Sequence, residues 1–109
     1  MWITSGGVAD VFTVFAKVGG TALTAFIVER DFGLVSGSEE HKMGLSGTST
    51  TALYLDDIRV PVENVLGEVG QGHKIAFRVL NAGRLFMGPL AIRGAGRVLR
   101  ESRTYAEKR

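Results

Sequence analysis

Apolar and polar residues alternate with a period of two along the first half of the chain and shift to a helical period beyond Gly72. Trp2-Ile3-Thr4 reads as the end of a strand, and Ser5-Gly6-Gly7 is a turn signal. Val8 to Val18 is a strand candidate. Phe12, Val14, Ala16 and Val18 fall on one side, and Val11 and Phe15 share the other with Thr13 and Lys17. Gly19-Gly20 predicts a two-residue hairpin turn leading into a second strand, Thr21 to Glu29. Both faces of that strand are largely apolar (Leu23, Ala25 and Ile27 against Ala22, Phe26 and Val28), so it is expected to be covered on both sides. Leu34-Val35-Ser36 predicts a short strand, and Glu39-Glu40-His41-Lys42 a charged, exposed turn. Gly44 to Thr50 reads as a loop entering a strand from Thr51 to Leu55, whose alternation continues through a bulge at Asp56-Asp57 to Val60.

The segment from Asp56 to Gly72 is the seam. Pro61 removes a backbone donor and ends any central strand, while Gly67, Gly70 and Gly72 permit sharp turns. Beyond it, Ile75, Ala76, Val79 and Leu80 lie on one face of a helix, with Lys74 and Arg78 on the other. Asn81-Ala82-Gly83-Arg84 predicts a break. A second helix follows, with Ile92, Ala95, Leu99, Ser102 and Ala106 at helical spacing and Arg93, Arg97, Arg100 and Lys108 opposite. Because proline disfavours helical geometry in the residue before it, this helix is expected to begin near Pro89 or to kink there. The fold class is α+β: an antiparallel β-sheet or barrel part, residues 1–67, followed by helices of an α-helical bundle, residues 68–109. Each half has a thin core of its own and is expected to pack against partners outside this chain.

Composition changes this picture in two places. No cysteine is present, which excludes disulfides, thiolate catalysis and cysteine metal sites. The charge of +2 divides at the seam: residues 1–72 sum to −5 and residues 73–109 to +7. A basic helical half fits a nucleic acid, a membrane surface or a phosphorylated cofactor, and fits about as well the plainer reading of a solvated face or one that pairs with acidic protein elsewhere. The longest apolar runs in the sequence fall short of the roughly 18 residues of a membrane span, and no targeting segment is visible at Met1.

The residues alone yield little chemistry. Asp56 and Asp57, adjacent on a strand, would point to opposite faces and so cannot share one proton. Glu39-Glu40 reads as solvated surface. His41 and His73 have no ligand partner at metal spacing, and no serine stands in a nucleophile elbow. Gly70-Gln71-Gly72 before a helix offers backbone N–H groups to a phosphate, yet lacks the rest of a dinucleotide fingerprint.

Taken together, several segments resemble the acyl-CoA dehydrogenase family. Trp2-Ile3-Thr4-Ser5-Gly6-Gly7 is similar to its W-I-T-N-G motif, with Ser5 for the usual asparagine. Ala25-Phe26-Ile27-Val28-Glu29 resembles its A-F-[IV]-V-E strand, and Lys42-Met43-Gly44-Leu45 its K-M-G-[IL] turn. Asp57-Ile58-Arg59-Val60-Pro61 with Glu63-Asn64-Val65-Leu66-Gly67 resembles its D-[VI]-[RK]-V-P-x-E-N-[VL]-L-G connector. Gly70-Gln71-Gly72-His73-Lys74-Ile75-Ala76 and Tyr105-Ala106-Glu107-Lys108-Arg109 resemble two further motifs, in the family's order. The spacing and Asn81 to Arg84 are most like the very-long-chain branch. Departures are Ser5, His73 for an aromatic residue, Pro89, and the short Gly19-Gly20 hairpin.

This resemblance implies part of the family's middle β-domain and the start of its C-terminal helical domain. It implies FAD as cofactor and an acyl-CoA thioester as substrate, with an α,β double bond formed in fatty acyl chains during β-oxidation. Trp2, Ile3 and Thr4 would line the flavin, and Arg109 would reach the FAD pyrophosphate of a neighbouring subunit. Asn81, Ala82, Gly83 and Arg84 would line the acyl-CoA channel. The family's alternative position for the catalytic glutamate is Gly83 here, so no residue of the chain is assigned as catalytic, and the isolated chain is expected to be inactive. The implied partners are further copies of the chain, as a dimer or tetramer, and an electron-transfer flavoprotein, with no nucleic acid. The implied location is the mitochondrial matrix or inner membrane in a eukaryote and the cytoplasm in a bacterium. An acyl-CoA oxidase, a flavin monooxygenase relative, and a non-catalytic interaction module are the alternatives.

Overall fold

The computed structural model describes residues 1–109 as two compact units, Met1–His73 and Lys74–Arg109. The first holds six strands: β1 (Trp2–Thr4), β2 (Val11–Val18), β3 (Ala22–Glu29), β4 (Val35–Glu39), β5 (Thr50–Tyr54) and β6 (Val65–Leu66). They form two antiparallel three-stranded sheets, ordered β1-β5-β4 and β2-β3-β6. The α+β class therefore holds, with antiparallel sheets preceding helix.

The β2–β3 hairpin follows from its sequence with one adjustment. Gly19 and Gly20 take φ of 58° and 79°, angles that favour glycine, and the Thr21 N–H closes the turn onto Val18 O at 3.3 Å. The ladder opens at Val18 opposite Ala22, so Thr21 lies outside the register and the connection is one residue longer than expected. As the central strand, β3 is buried on both faces, at Thr24 and Val28 on one and Ala25 on the other. Phe12, paired with Val28, joins Leu34 in the buried cluster, and Ile3, Leu53, Ile58 and Val60 pack around it. Ile58 and Val60 do so without being in a strand. The β5 ladder ends at Tyr54, and Asp57 at φ 48° turns the chain, so the expected extension to Val60 is absent.

Arg30, in a single 3-10 turn (Arg30–Phe32) after β3, fastens this unit. Its Nε donates to Ala9 O at 2.9 Å, its Nη2 to Gly6 O at 2.8 Å and Ala9 O at 2.5 Å, and its Nη1 to Ser36 Oγ at 2.8 Å. The Ser36 hydroxyl in turn donates to Gly6 O at 2.8 Å. The guanidinium carbon stands 5.5 Å from the Phe12 ring centroid, within cation–π range.

The seam is docked by backbone. The Gly70 N–H donates to the buried Thr24 Oγ1 at 2.9 Å, and a Cβ on Gly72 would meet Leu23 O at 2.9 Å and Thr24 C at 3.0 Å. These glycines serve close approach to β3, and the Gly70 amide is already occupied, which weakens the phosphate-cradle reading.

The second unit is one helix. α1 runs without interruption from Gly72 to Glu107, 36 residues, through both Asn81–Arg84 and Pro89. The predicted break and second helix start are therefore corrected. Gly88 lacks the Cβ that the Pro89 ring would otherwise meet, which relieves the usual clash before proline. Gly83 costs only about 1 kcal/mol in a helix interior, too little to end a long one. Continuity also revises the apolar reading: by length and composition α1 is apolar enough to cross a membrane. Its large apolar side chains, from Phe77 to Tyr105, are exposed in the unit itself.

Two outcomes follow for urea unfolding. Arg30→Met removes all the guanidinium hydrogen bonds, leaving Ser36 and Gly6 bonded only to each other, and should lower stability by about 3 kcal/mol, with Arg30→Lys recovering only part. Gly72→Ala should destabilise by about 1–3 kcal/mol, because the overlap is with backbone that cannot step aside and outweighs the helix-propensity gain.

Candidate functional site

The strand β1 pairs with β5 in the register Trp2–Ala52, Ile3–Thr51 and Thr4–Thr50. Alternation along β1 turns Ile3 toward the core cluster and leaves Trp2 and Thr4 exposed on the other side. Trp2 is 73% exposed, and its Nε1 donates to Glu40 Oε1 at 2.9 Å. Next to β1 lies an apolar groove of about 410 Å³, lined by Ile3, Thr4, Phe12, Phe15, Leu53 and Leu55 among others. A more polar hollow of about 480 Å³ lies along the 39–49 loop, bordered by Glu39, His41, Lys42 and Ser49. No group of three or more His, Asp or Glu side chains gathers there or elsewhere.

The other sequence-predicted residues are on the helical unit. Asn81, Ala82, Gly83 and Arg84 are successive residues of α1. At about 100° per residue, Asn81 and Arg84 share a face, while Ala82 and Gly83 point away from it. The tetrad is thus a helix turn in which two side chains can meet one ligand. Arg109 lies just past the helix end; its N–H donates to Ala106 O at 3.4 Å. Nearby, Arg103 pairs with Glu107 at 2.7 Å. Neither Arg84 nor Arg109 is engaged in an ion pair or side-chain hydrogen bond. Trp2, Ile3 and Thr4 are gathered in the first unit, and Asn81, Arg84 and Arg109 belong to the second.

Glu39 and Glu40 are exposed, as their charge predicts, and both are also hydrogen-bonded. Glu39 accepts from Ser49 Oγ at 2.7 Å and Thr50 N at 2.9 Å, and Ser49 Oγ accepts from Gly7 N at 2.9 Å. Lys42 Nζ bonds Thr48 O, Thr48 Oγ1 and Thr50 Oγ1. No periodicity ties residues so far apart in sequence, and only the exposed charge of the turn was visible.

No family model matches the chain. It is similar to the "Probable acyl-CoA dehydrogenase" of Bacillus subtilis, 50% identical over 99% of this chain. A very long-chain specific mitochondrial acyl-CoA dehydrogenase of Bos taurus is 53% identical over 80% of it. A short-chain specific acyl-CoA dehydrogenase of Clostridium acetobutylicum is 40% identical over 100% of this chain, a match that covers 30% of that relative. Among solved structures, an acyl-CoA dehydrogenase complexed with FAD from Bacillus anthracis superposes with a TM-score of 0.74, at 54% identity over 76% of this chain. Butyryl-CoA dehydrogenase from Megasphaera elsdenii gives 0.71, at 44% identity over 77%. The chain spans 18% of the length of the Bacillus subtilis relative and 14% of the Bacillus anthracis chain.

Hydrogen bonds from Ser49 and then Thr50, with the Lys42 charge adding to them, hold the Glu39 carboxyl below its ordinary pKa. A depressed carboxylate contributes order above its unfolded pKa and loses it as pH falls through the folded value. Amide NMR shifts of Gly7, Ser49 and Thr50 should therefore move together on acidification, with a midpoint below that of an unperturbed glutamate. Glu39→Gln should abolish this shared titration.

Proposed function

We propose, from the premise that this chain belongs to the acyl-CoA dehydrogenase family, that it forms the flavin-facing β wall and first long helix of such an enzyme. On this reading residues 1–67 are part of the middle β-domain and residues 68–109 open the helical domain. The substrate is an acyl-CoA thioester of a fatty acid, and the reaction forms its α,β double bond. The observation carrying the reading is β1: Trp2 and Thr4 exposed on one side of a short strand whose other side is anchored by Ile3.

The residues present fit FAD. An exposed indole offers a stacking face to a planar ring, the Thr4 hydroxyl can donate or accept at the ring edge, and the groove past Ile3 is apolar. The unpaired guanidinium of Arg109 suits a pyrophosphate. When bound, FAD supplies a hydride acceptor. Trp2 and Thr4 would bind and orient the ring, and Arg109 would hold phosphate of a cofactor on a neighbouring copy. Asn81 and Arg84, from one helix face, would position the thioester. Gly83 has no side chain to carry a proton, so none of the 109 residues is assigned as the base that removes the α-proton.

The finer readings rest on similarity. The higher identity to the very long-chain enzyme than to the short-chain enzyme favours long acyl chains. The structure of an electron transferring flavoprotein of Acidaminococcus fermentans contains a chain 40% identical to this one, which favours such a flavoprotein as electron acceptor. Mitochondrial and bacterial relatives leave the compartment to follow the source: matrix or inner membrane in the first case, cytoplasm in the second.

A chimera tests the proposal. Residues 1–109 replace the matching segment of the Bacillus anthracis enzyme, and the product is examined for bound flavin and acyl-CoA oxidation. It should retain FAD through gel filtration and bleach on addition of a long-chain acyl-CoA. Arg109→Ala in the chimera should weaken FAD binding about tenfold or more, the scale of one lost hydrogen bond to a charged group. A folded, colourless chimera would refute the β-wall assignment, and unchanged flavin occupancy in Arg109→Ala would refute the phosphate contact.

A further inference from the structure

An exposed tryptophan on a strand has little packing to fix its ring, so whatever holds the indole N–H sets its orientation. For Trp2 that group is the Glu40 carboxylate at 2.9 Å. The indole is a donor only, and an ionised carboxylate is the stronger kind of acceptor for it. Glu40 is itself tied down. Its backbone N–H donates to Thr50 O at 2.9 Å, continuing the junction of β4 with β5. Its neighbour Glu39 is braced by Ser49 and Thr50, and Ser49 is fastened to Gly7 in the turn after β1. Lys42 closes the far side of the loop onto Thr48 and Thr50. The acceptor that meets Trp2 therefore stands on a cross-linked loop base, fixed relative to the strand that carries Trp2.

We propose that Glu40 is a positioning residue: it latches the Trp2 indole in one orientation and presents it as a preset wall for a planar heteroaromatic ligand. This rests on the assignment of β1 as the flavin wall for its consequence, while the latch stands on the hydrogen-bond geometry alone. An indole ordered beforehand loses less rotamer freedom on binding, so the latch favours affinity without touching the ligand.

Trp2 is the single tryptophan of the chain, so its emission reports on the latch directly. Steady-state anisotropy and acrylamide quenching are compared in the chain and in Glu40→Ala and Glu40→Gln, with far-UV circular dichroism confirming an unchanged fold. Glu40→Ala should lower the anisotropy and raise the quenching constant. Glu40→Gln, which keeps an acceptor oxygen at the same reach, should restore both toward the original values. A merely structural role for the carboxylate would not separate the two variants in this way. Identical anisotropy in the chain and Glu40→Ala overturns the latch, as does equal loss in both variants. In the FAD-loaded chimera, Glu40→Ala should shift the flavin absorbance envelope and weaken retention. Loss of anisotropy with no flavin change would overturn the link to the ligand, and a chimera that never holds FAD would instead refute the flavin-wall assignment with the latch intact.

Discussion

The planar fork of Arg30 is the interaction on which the β unit depends. Three of its nitrogens reach acceptors contributed by different parts of the chain: carbonyls of Gly6 and Ala9 between β1 and β2, and the hydroxyl of Ser36 in β4. The nearest carboxylate, Asp10, is 4.0 Å away and mostly exposed, so the charge is answered chiefly by carbonyl dipoles. A guanidinium can do this where an ammonium cannot, because its donors diverge in one plane at fixed angles. The same group lies over Phe12, which joins the polar fastening to the apolar cluster. Two small sheets with so few fully buried side chains thus share a common reference point.

The β half was largely legible in the sequence because its signals were local. Alternation located β1, β2 and β3, and paired glycines located the hairpin. What alternation missed were places where tertiary contact replaced secondary structure. Ile58 and Val60 keep the spacing of a strand, but they meet the core from a turned segment after Asp57 at φ 48°. The helical half was misread in the opposite direction. The segment Asn81–Arg84, with Gly83 in it, and Pro89 each read as interruptions, and together they predicted two helices. The missing Cβ of Gly88 relieves part of the clash with the Pro89 ring, and the long helical pattern on both sides prevails.

The candidate site was legible only through resemblance. Nothing in the spacing of Trp2 and Thr4 announces a ligand wall, and the motif supplied it. The motif in turn said nothing of Arg30, Glu40 or Ser49. These act through hydrogen bonds between residues distant in sequence, for which neither periodicity nor a short motif leaves a trace. Gly72 shows the reverse: the sequence marked it as a turn residue, while its use is to let β3 backbone approach.

An uninterrupted α1 also acts as a ruler. At 1.5 Å per residue, the distance along the axis from Arg84 to the helix end before Arg109 is roughly 35 Å. Two arginines held this far apart by one helix meet their surroundings at separate places along it. A ligand group held at Arg84 and one held at Arg109 would therefore lie at well-separated places along the same helix.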